Sequence, residues 1–462
     1  VSKRTIRIVQ EHVRISDPHV TSDNAERLSI LGNVFDPLIR VQEDGTFEPA
    51  LARSWSLSPD ARTWTFDIRD DIQFHDGHPL MPEDVVFSLC RMRDEDIPGE
   101  LGTSGVIRGY LAGADIARAG AHEVVVKTPE PMADLLDLLC EIPILSESAV
   151  AALPDRFVGT GRFRVEETGD QLVLESDELR LIWQAEADAS KRLQAVLSGE
   201  ADIAAKLLPR HAAHPDVRVE RSTTSVCATF MFNFDRRLVR NEHFRRAMNL
   251  AVDVDTLVRE VMHGAADALT GPLTRRHLGF DPDVESWPYD PDAARREIDA
   301  GGLRGEKVLV DIPAVLPDEA PELALRVAAY LSDVGLVAEV RTETDRPGYA
   351  NQVRYRKIGD MACFDSSPAS TFRVFREKFH SGFAGPWWLG FANRDFDHLV
   401  DRARRTADLE DRRHLYRLAY RILRDEAPWL FLYNPVRLTA IDEDSSVIPS
   451  GWRPAAGGLL LF

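Results

Sequence analysis

Few residue groupings in this chain have the types and spacing of a reactive centre. His75-Asp76-Gly77-His78 sets two imidazoles beside a carboxylate, a donor set that a transition ion accepts. It falls where a strand should turn into a proline-started helix, so it reads as turn chemistry. Cys90, Cys140, Cys227 and Cys363 lie far apart, and none forms a CxxC pair. That spacing excludes a zinc knuckle or a thioredoxin-type motif and leaves free buried thiols as the expectation. Gly159-Thr160-Gly161 lacks the third glycine of a dinucleotide loop, and no GxxxxGK[ST], HExxH or GxSxG occurs. Acidic pairs are too common in this chain for any one to mark a catalytic dyad. With no nucleophile–base–orienter set, the sequence points to a binding protein. No enzyme activity, cofactor or metal is expected.

The elements around these residues alternate irregularly between strand and helix, the pattern of mixed α/β layers. Thr5-Ile6-Arg7-Ile8-Val9 alternates as a strand, and Thr63 to Arg69 does so with Trp64, Phe66 and Ile68 on one apolar face. Pro82-Glu83-Asp84 opens a helix with proline in its first turn. Asn241 to Val261 reads as two linked helical segments. Glu322 to Val334 is a helix closed by Gly335, followed by a strand at Val337 to Val340. Arg412 to Arg424 is amphipathic through Leu415, Leu418, Ala419 and Ile422. Pro428 to Tyr433 is nearly all apolar, as a strand buried on both faces would be.

Size and charge bound the function. At 462 residues the chain is long enough for about three domains. With 44% hydrophobic and 28% charged residues it has ordinary globular composition. The net charge of −19 argues against a nucleic-acid partner, because neutralising phosphates takes a basic face. It suits a freely diffusing monomer. No run reaches the ~18 apolar residues of a membrane span. The opening VSKRTIRIV reads as a strand, so either a targeting segment has been removed or the protein is made in the cytoplasm.

Read in order, a dozen short stretches over roughly residues 15–435 resemble the family-5 extracellular solute-binding proteins. These are the peptide, dipeptide and nickel receptors of bacterial ABC importers. The stretches include Asp17-Pro18-His19 with Asp23, Asn33-Val34-Phe35-Asp36-Pro37-Leu38, and Pro49-Ala50-Leu51-Ala52-Arg53-Ser54-Trp55. Phe74-His75-Asp76-Gly77, Glu83-Asp84-Val85-Val86-Phe87-Ser88 and Gly159-Thr160-Gly161 follow. Leu197-Ser198-Gly199-Glu200, Arg245-Arg246-Ala247-Met248-Asn249, Tyr289-Asp290-Pro291, Asn393 to Asp397 and Glu426-Ala427-Pro428-Trp429 complete the set.

The resemblance implies a bilobed α/β clamshell of the periplasmic-binding-protein type (type II, cluster C-like). The outer lobe would use residues 1–35, 158–233 and 433–462, a small appended domain residues 36–157, and the second lobe residues 234–432. Two hinge crossings would lie near Phe232-Asn233 and Phe431 to Tyr433, with ligand enclosed as the lobes close. In peptide-binding members an Asp takes the ligand's amino terminus. The corresponding stretch here is Cys363-Phe364-Asp365-Ser366, with Asp365 displaced by about two positions; the alternative is that Asp365 serves a local turn. Upstream, Arg346 replaces a Trp and would favour a ligand carboxylate or phosphate, or else is a solvated surface residue. Tyr349 fits stacking or core packing. Cys227, on the strand that edges the cleft in the family, is a lining residue or a structural thiol. Trp387 and Trp388 sit in a Gly/Pro loop, where at least one should be exposed or stack on ligand. His12 and Arg14 stand where the family's first pocket loop begins, although His12 also fits a surface histidine.

By resemblance the chain is the substrate-binding protein of an ABC importer, facing the periplasm or the exterior. Its solute would be a peptide or a similar amine/carboxylate compound, and its partner a membrane permease. An opine, a sugar or a metal complex are alternative solutes. A cytoplasmic or regulatory ligand sensor of the same fold is the alternative role. The family's stretch between Glu166 and Ser190 is shortened here, which leaves a smaller or non-peptide solute open.

Overall fold

The computed structural model describes residues 3–20, 24–97, 103–169, 171–315, 319–443 and 445–462. Asp23 of the early stretch lies outside them. The chain forms two compact units, Val1–Thr223 with Arg437–Phe462, and Thr224–Val436. It therefore passes between them twice, at Thr223–Thr224 and at Val436–Arg437. The crossings expected near Phe232-Asn233 and Phe431 to Tyr433 are corrected accordingly. Those residues belong to the interior of the second unit, where Phe232, Phe431 and Tyr433 are buried and serve its core.

In the first unit the strand Arg4–Gln10 is central. It pairs in parallel with Leu179–Ala185, Ile6 opposite Leu181 and Ile8 opposite Trp183, and with Ile203–Ala204. Gln171–Glu175 and Arg164–Thr168 extend the sheet antiparallel. Alternation along these strands sends Ile6, Ile8, Leu179, Leu181 and Trp183 into one core with Ile30, Leu31 and Val34 of the helix Ala25–Val34. That helix starts where it does because the Asn24 side chain accepts from the amides of Glu26 and Arg27. Its Asn33 also pins the chain's last residues. The Asn33 amide donates to the Leu460 carbonyl and its oxygen accepts from the Phe462 amide.

The same unit contains a four-stranded antiparallel sheet in the order Ala52–Leu57, Thr63–Ile68, Glu123–Lys127, Asp115–Arg118. Trp64, Phe66 and Ile68 are its buried face. The helix Pro82–Asp94 follows, with the Met81 amide donating to the Asp84 carboxylate.

Two of the family-like stretches meet here and explain each other. The His75 ring accepts from the Gly159 amide at Nδ1 and donates to the Gly161 carbonyl from Nε2, at 3.3 and 2.7 Å. Burial lowers the pKa of this imidazole, in keeping with a neutral ring doing both jobs. Gly161 N donates to Val34 O, and Thr160 Oγ1 to Asp36. A Cβ on Gly159 would stand 2.0 Å from the Val34 carbonyl oxygen, so only glycine admits this approach of backbone to backbone. The turn reading of His75 to His78 fits this architecture.

In the second unit the strands run Val337–Glu343, Lys307–Pro313, Met361–Ser366, Cys227–Phe232 and then Trp429–Ile441 as far as Val436. The first three are parallel, and Cys227–Phe232 is antiparallel to both its neighbours. On one face Phe230, Phe232, Val308, Val310, Met361 and Leu430 pack against Phe244, Ala247 and Met248 of the helix Glu242–Ala251 and Leu323, Val327 and Leu331 of Ala320–Asp333. On the other, Trp429 meets Phe379 at 4.6 Å, and Phe375 meets Phe396 and Tyr416. With helices on both sides, Cys227–Phe232 is buried along its whole length, as its apolar composition requires.

Candidate functional site

The strand Met361–Ser366 and the helix Arg346–Arg354 carry most of the expected site residues. Tyr349 ties the two together: its hydroxyl lies 2.6 Å from the Cys363 carbonyl oxygen and 3.1 Å from that of Asp311, and donates to them. One helical turn earlier, this anchoring places the Arg346 guanidinium over the Phe364 ring, 4.7 Å from its centroid. Arg346 Nη2 is then 3.9 Å from Asp365 Oδ1. The Asp365 side chain is 39% exposed and that of Arg346 18%. Trp387 packs on Phe364 at 5.3 Å between centroids, with Lys378 Nζ 4.5 Å from the indole centroid. Arg346 thus touches both the Asp365 carboxylate and the Phe364 ring, and Trp387 touches both Phe364 and Lys378.

Trp387 has φ of +76°, a left-handed conformation unusual for a bulky residue. Its amide donates to the Arg354 carbonyl at the end of the same helix. Trp388 donates from Nε1 to the Phe391 carbonyl at 2.8 Å and lies under Arg356. Both indoles are half-buried, each held by an identified partner.

Several expected lining residues face the interior instead. Tyr349 is wholly buried, and burial raises its hydroxyl above the ordinary tyrosine range; core packing and not stacking is its role. The Cys363 and Ser366 side chains are buried too. Cys227 is corrected in the same way: it lies between two strands with its thiol donating to the Pro272 carbonyl. Burial, followed by the nearby Asp365 charge, pushes both the Cys227 and Cys363 thiols above their usual range. Phe364 is buried beneath Arg346 and Trp387 and supports them. In the first unit His12 and Arg14 are exposed, and His12 lies beside Glu11 and Glu26.

The sequence reading missed a buried polar network where the chain enters and leaves the second unit. The Asn434 amide donates to Thr224 O, Thr224 Oγ1 and Val226 O at 3.1, 2.9 and 2.7 Å. Thr224 Oγ1 donates to Pro435 O, and Thr274 Oγ1 to Thr224 O. His277 closes the chain: Nδ1 accepts from the Thr274 amide at 3.0 Å and Nε2 donates to Pro368 O at 2.8 Å. Complete burial lowers its pKa to about 4, with the Arg276 charge acting in the same direction. A lone Asn-Pro inside an otherwise apolar run was the available signal, because an amide buried there needs partners.

Arg346 and Asp365 thus set a cation and a carboxylate beside a packed aromatic base. Comparison with known proteins is specific. The profile described as bacterial extracellular solute-binding proteins, family 5 Middle, matches residues 46–372. A probable di/tripeptide-binding protein 5 of Pseudomonas aeruginosa is 24% identical over 436 residues, covering 85% of this chain and 82% of that protein. HbpA2 from Haemophilus parasuis superposes with a TM-score of 0.83 at 18% identity, over 95% of this chain and 96% of that one. The periplasmic binding protein DppA from Helicobacter pylori, solved with the peptide STSA, gives 0.76 at 19% identity, over 95% and 94%. The fold is the α/β fold of a periplasmic binding protein. The chain belongs to the bacterial extracellular solute-binding proteins, family 5. Among the described residues no helix is long and apolar enough to cross a membrane.

Proposed function

We propose that this protein is the receptor of an ABC importer, working outside the cytoplasmic membrane with a permease as partner. Its cargo is a short peptide or a similar compound bearing both an amine and a carboxylate. The observation that carries this reading is the loose pair of Asp365 and Arg346, 3.9 Å apart on the Phe364 ring. A zwitterion matches the two charges: the ammonium group goes to Asp365 and the carboxylate to Arg346. Trp387 and Trp388 supply apolar surface for the intervening chain. The names of the Pseudomonas and Helicobacter relatives support a peptide cargo. The test is calorimetric titration with a dipeptide panel and with the same peptides N-acetylated or C-amidated. Asp365→Ala is expected to weaken a free-amine peptide by at least ~1.5 kcal/mol and to leave its acetylated form unaffected. Equal affinity of wild type and Asp365→Ala for every member would refute the assignment.

A further inference from the structure

The loop after the strand Arg4–Gln10 holds a second cluster of donors that the solute reading does not use. Glu26 stands in the first turn of the helix Ala25–Val34, with its side chain 7% exposed. One of its oxygens, Oε1, accepts from the amides of Glu11 and His12 at 2.6 and 3.4 Å. Those two bonds fix the carboxylate and aim Oε2 at the His12 ring, 3.7 Å from Nδ1. Glu26 Oε2 is buried and makes no hydrogen bond, a state that carries a desolvation cost unless something else binds there. Glu11 Oε2 is 4.0 Å from the same Nδ1. The three donor atoms all lie within 4.8 Å of one another. That is too far for hydrogen bonds among them, yet close to the spacing of ligands around one ion. An ion centred in a triangle of about 4 Å edges stands roughly 2.3 Å from each corner, a few tenths from zinc–ligand distances.

We propose that Glu11, His12 and Glu26 bind one divalent ion of the zinc class. One imidazole with two carboxylates suits such an ion better than magnesium or calcium, which take all-oxygen shells. The exposed side of His12 leaves the remaining coordination positions to water. Two cations lie close by and set the competition. The Lys206 ammonium pairs with Glu11 Oε2, and its side chain is 42% exposed, so it can swing into solvent when an ion arrives. Arg192 is buried and engaged with the carbonyls of Ala205, Glu186, Ala187 and Lys206, so it does not take the Glu26 oxygen.

The test titrates metal-stripped full-length protein with Zn²⁺ alone, at pH 7.5 and without any solute, so that its failure leaves the peptide reading standing. The Cys90→Ser, Cys140→Ser background excludes binding by the half-buried thiols. One equivalent is expected to bind, unaffected by excess Mg²⁺. His12→Ala and Glu26→Gln should each weaken it at least tenfold, and Lys206→Met should tighten it severalfold. His12 is exposed, so His12→Ala keeps the test valid even where Glu26→Gln disturbs folding. No stoichiometric binding, or binding unchanged by His12→Ala, overturns the proposal. An affinity unmoved by Lys206→Met overturns the three-donor assignment.

Discussion

Protonation of His277 should loosen the second unit well before its carboxylates titrate. Folded, the imidazole is neutral, with a pKa of about 4 set first by burial; in the unfolded chain it takes its proton near 6.5. A group whose folded pKa is depressed and whose protonated form is the charged one destabilises the fold as pH falls. The stability is complete above pH 6.5 and is lost on the way down to about 4. The loss follows from the ratio of the two binding polynomials: about 2 kcal/mol at pH 5 and about 3 kcal/mol at pH 4. The hydrogen bonds give the same answer, because a protonated Nδ1 confronts the Thr274 amide, which now donates to it. Urea unfolding of wild type and His277→Gln at pH 7.5 and pH 5 measures the effect. Glutamine lowers the baseline, but only the change with pH is read. Wild type should lose about 2 kcal/mol more than the variant between these pH values, a midpoint displacement of roughly 1 M urea at ordinary m-values. Equal losses would refute the claim that the fold holds His277 neutral.

Two further outcomes follow from the same interior. Asn434→Ala removes three hydrogen bonds in a buried place, of whose acceptors Thr224 O and Thr224 Oγ1 keep a second donor, and should cost about 2 kcal/mol, visible as a lower thermal midpoint; a change below about 0.5 kcal/mol would show that water replaces the amide. A thiol reagent at pH 8 should modify Cys90 and Cys140 in the native protein and spare Cys227 and Cys363, which are buried and whose thiols burial holds protonated; rapid modification of all four would contradict the buried placement.

Where periodicity is governed by local burial, the sequence was legible. Trp64, Phe66 and Ile68 occupy one face, as alternation requires, within Thr63–Ile68. The helix expected from Glu322 runs Ala320–Asp333, and Gly335 follows at φ +92°. The run from Pro428 is a strand, but it continues to Ile441, since Asn434 and Pro435 find partners there instead of ending it. The site was less legible for a reason of geometry. Asp365, Phe364 and Cys363 are consecutive, yet a strand sends alternate side chains to opposite faces, and which face reaches solvent depends on helices far away in sequence. Tyr349 and Arg346 share a helix, and a single turn separates a buried ring from a half-shielded guanidinium. Glu26 escaped notice because its partners come from the preceding loop. The stretches that resemble the family did not reveal the site either: His75, Gly159 and Gly161 are occupied with one another's backbones.

The division of the chain has a consequence for how the protein is made. The second unit is one continuous segment, whereas the first is assembled from both ends of the chain. A ribosome therefore releases everything the second unit needs before the first is complete. Asn33 waits through more than four hundred residues of synthesis for the Leu460 and Phe462 backbone groups it binds. Folding in order of completion would begin in the middle of the sequence, and damage near Phe462 would strike the half of the molecule that was synthesised first.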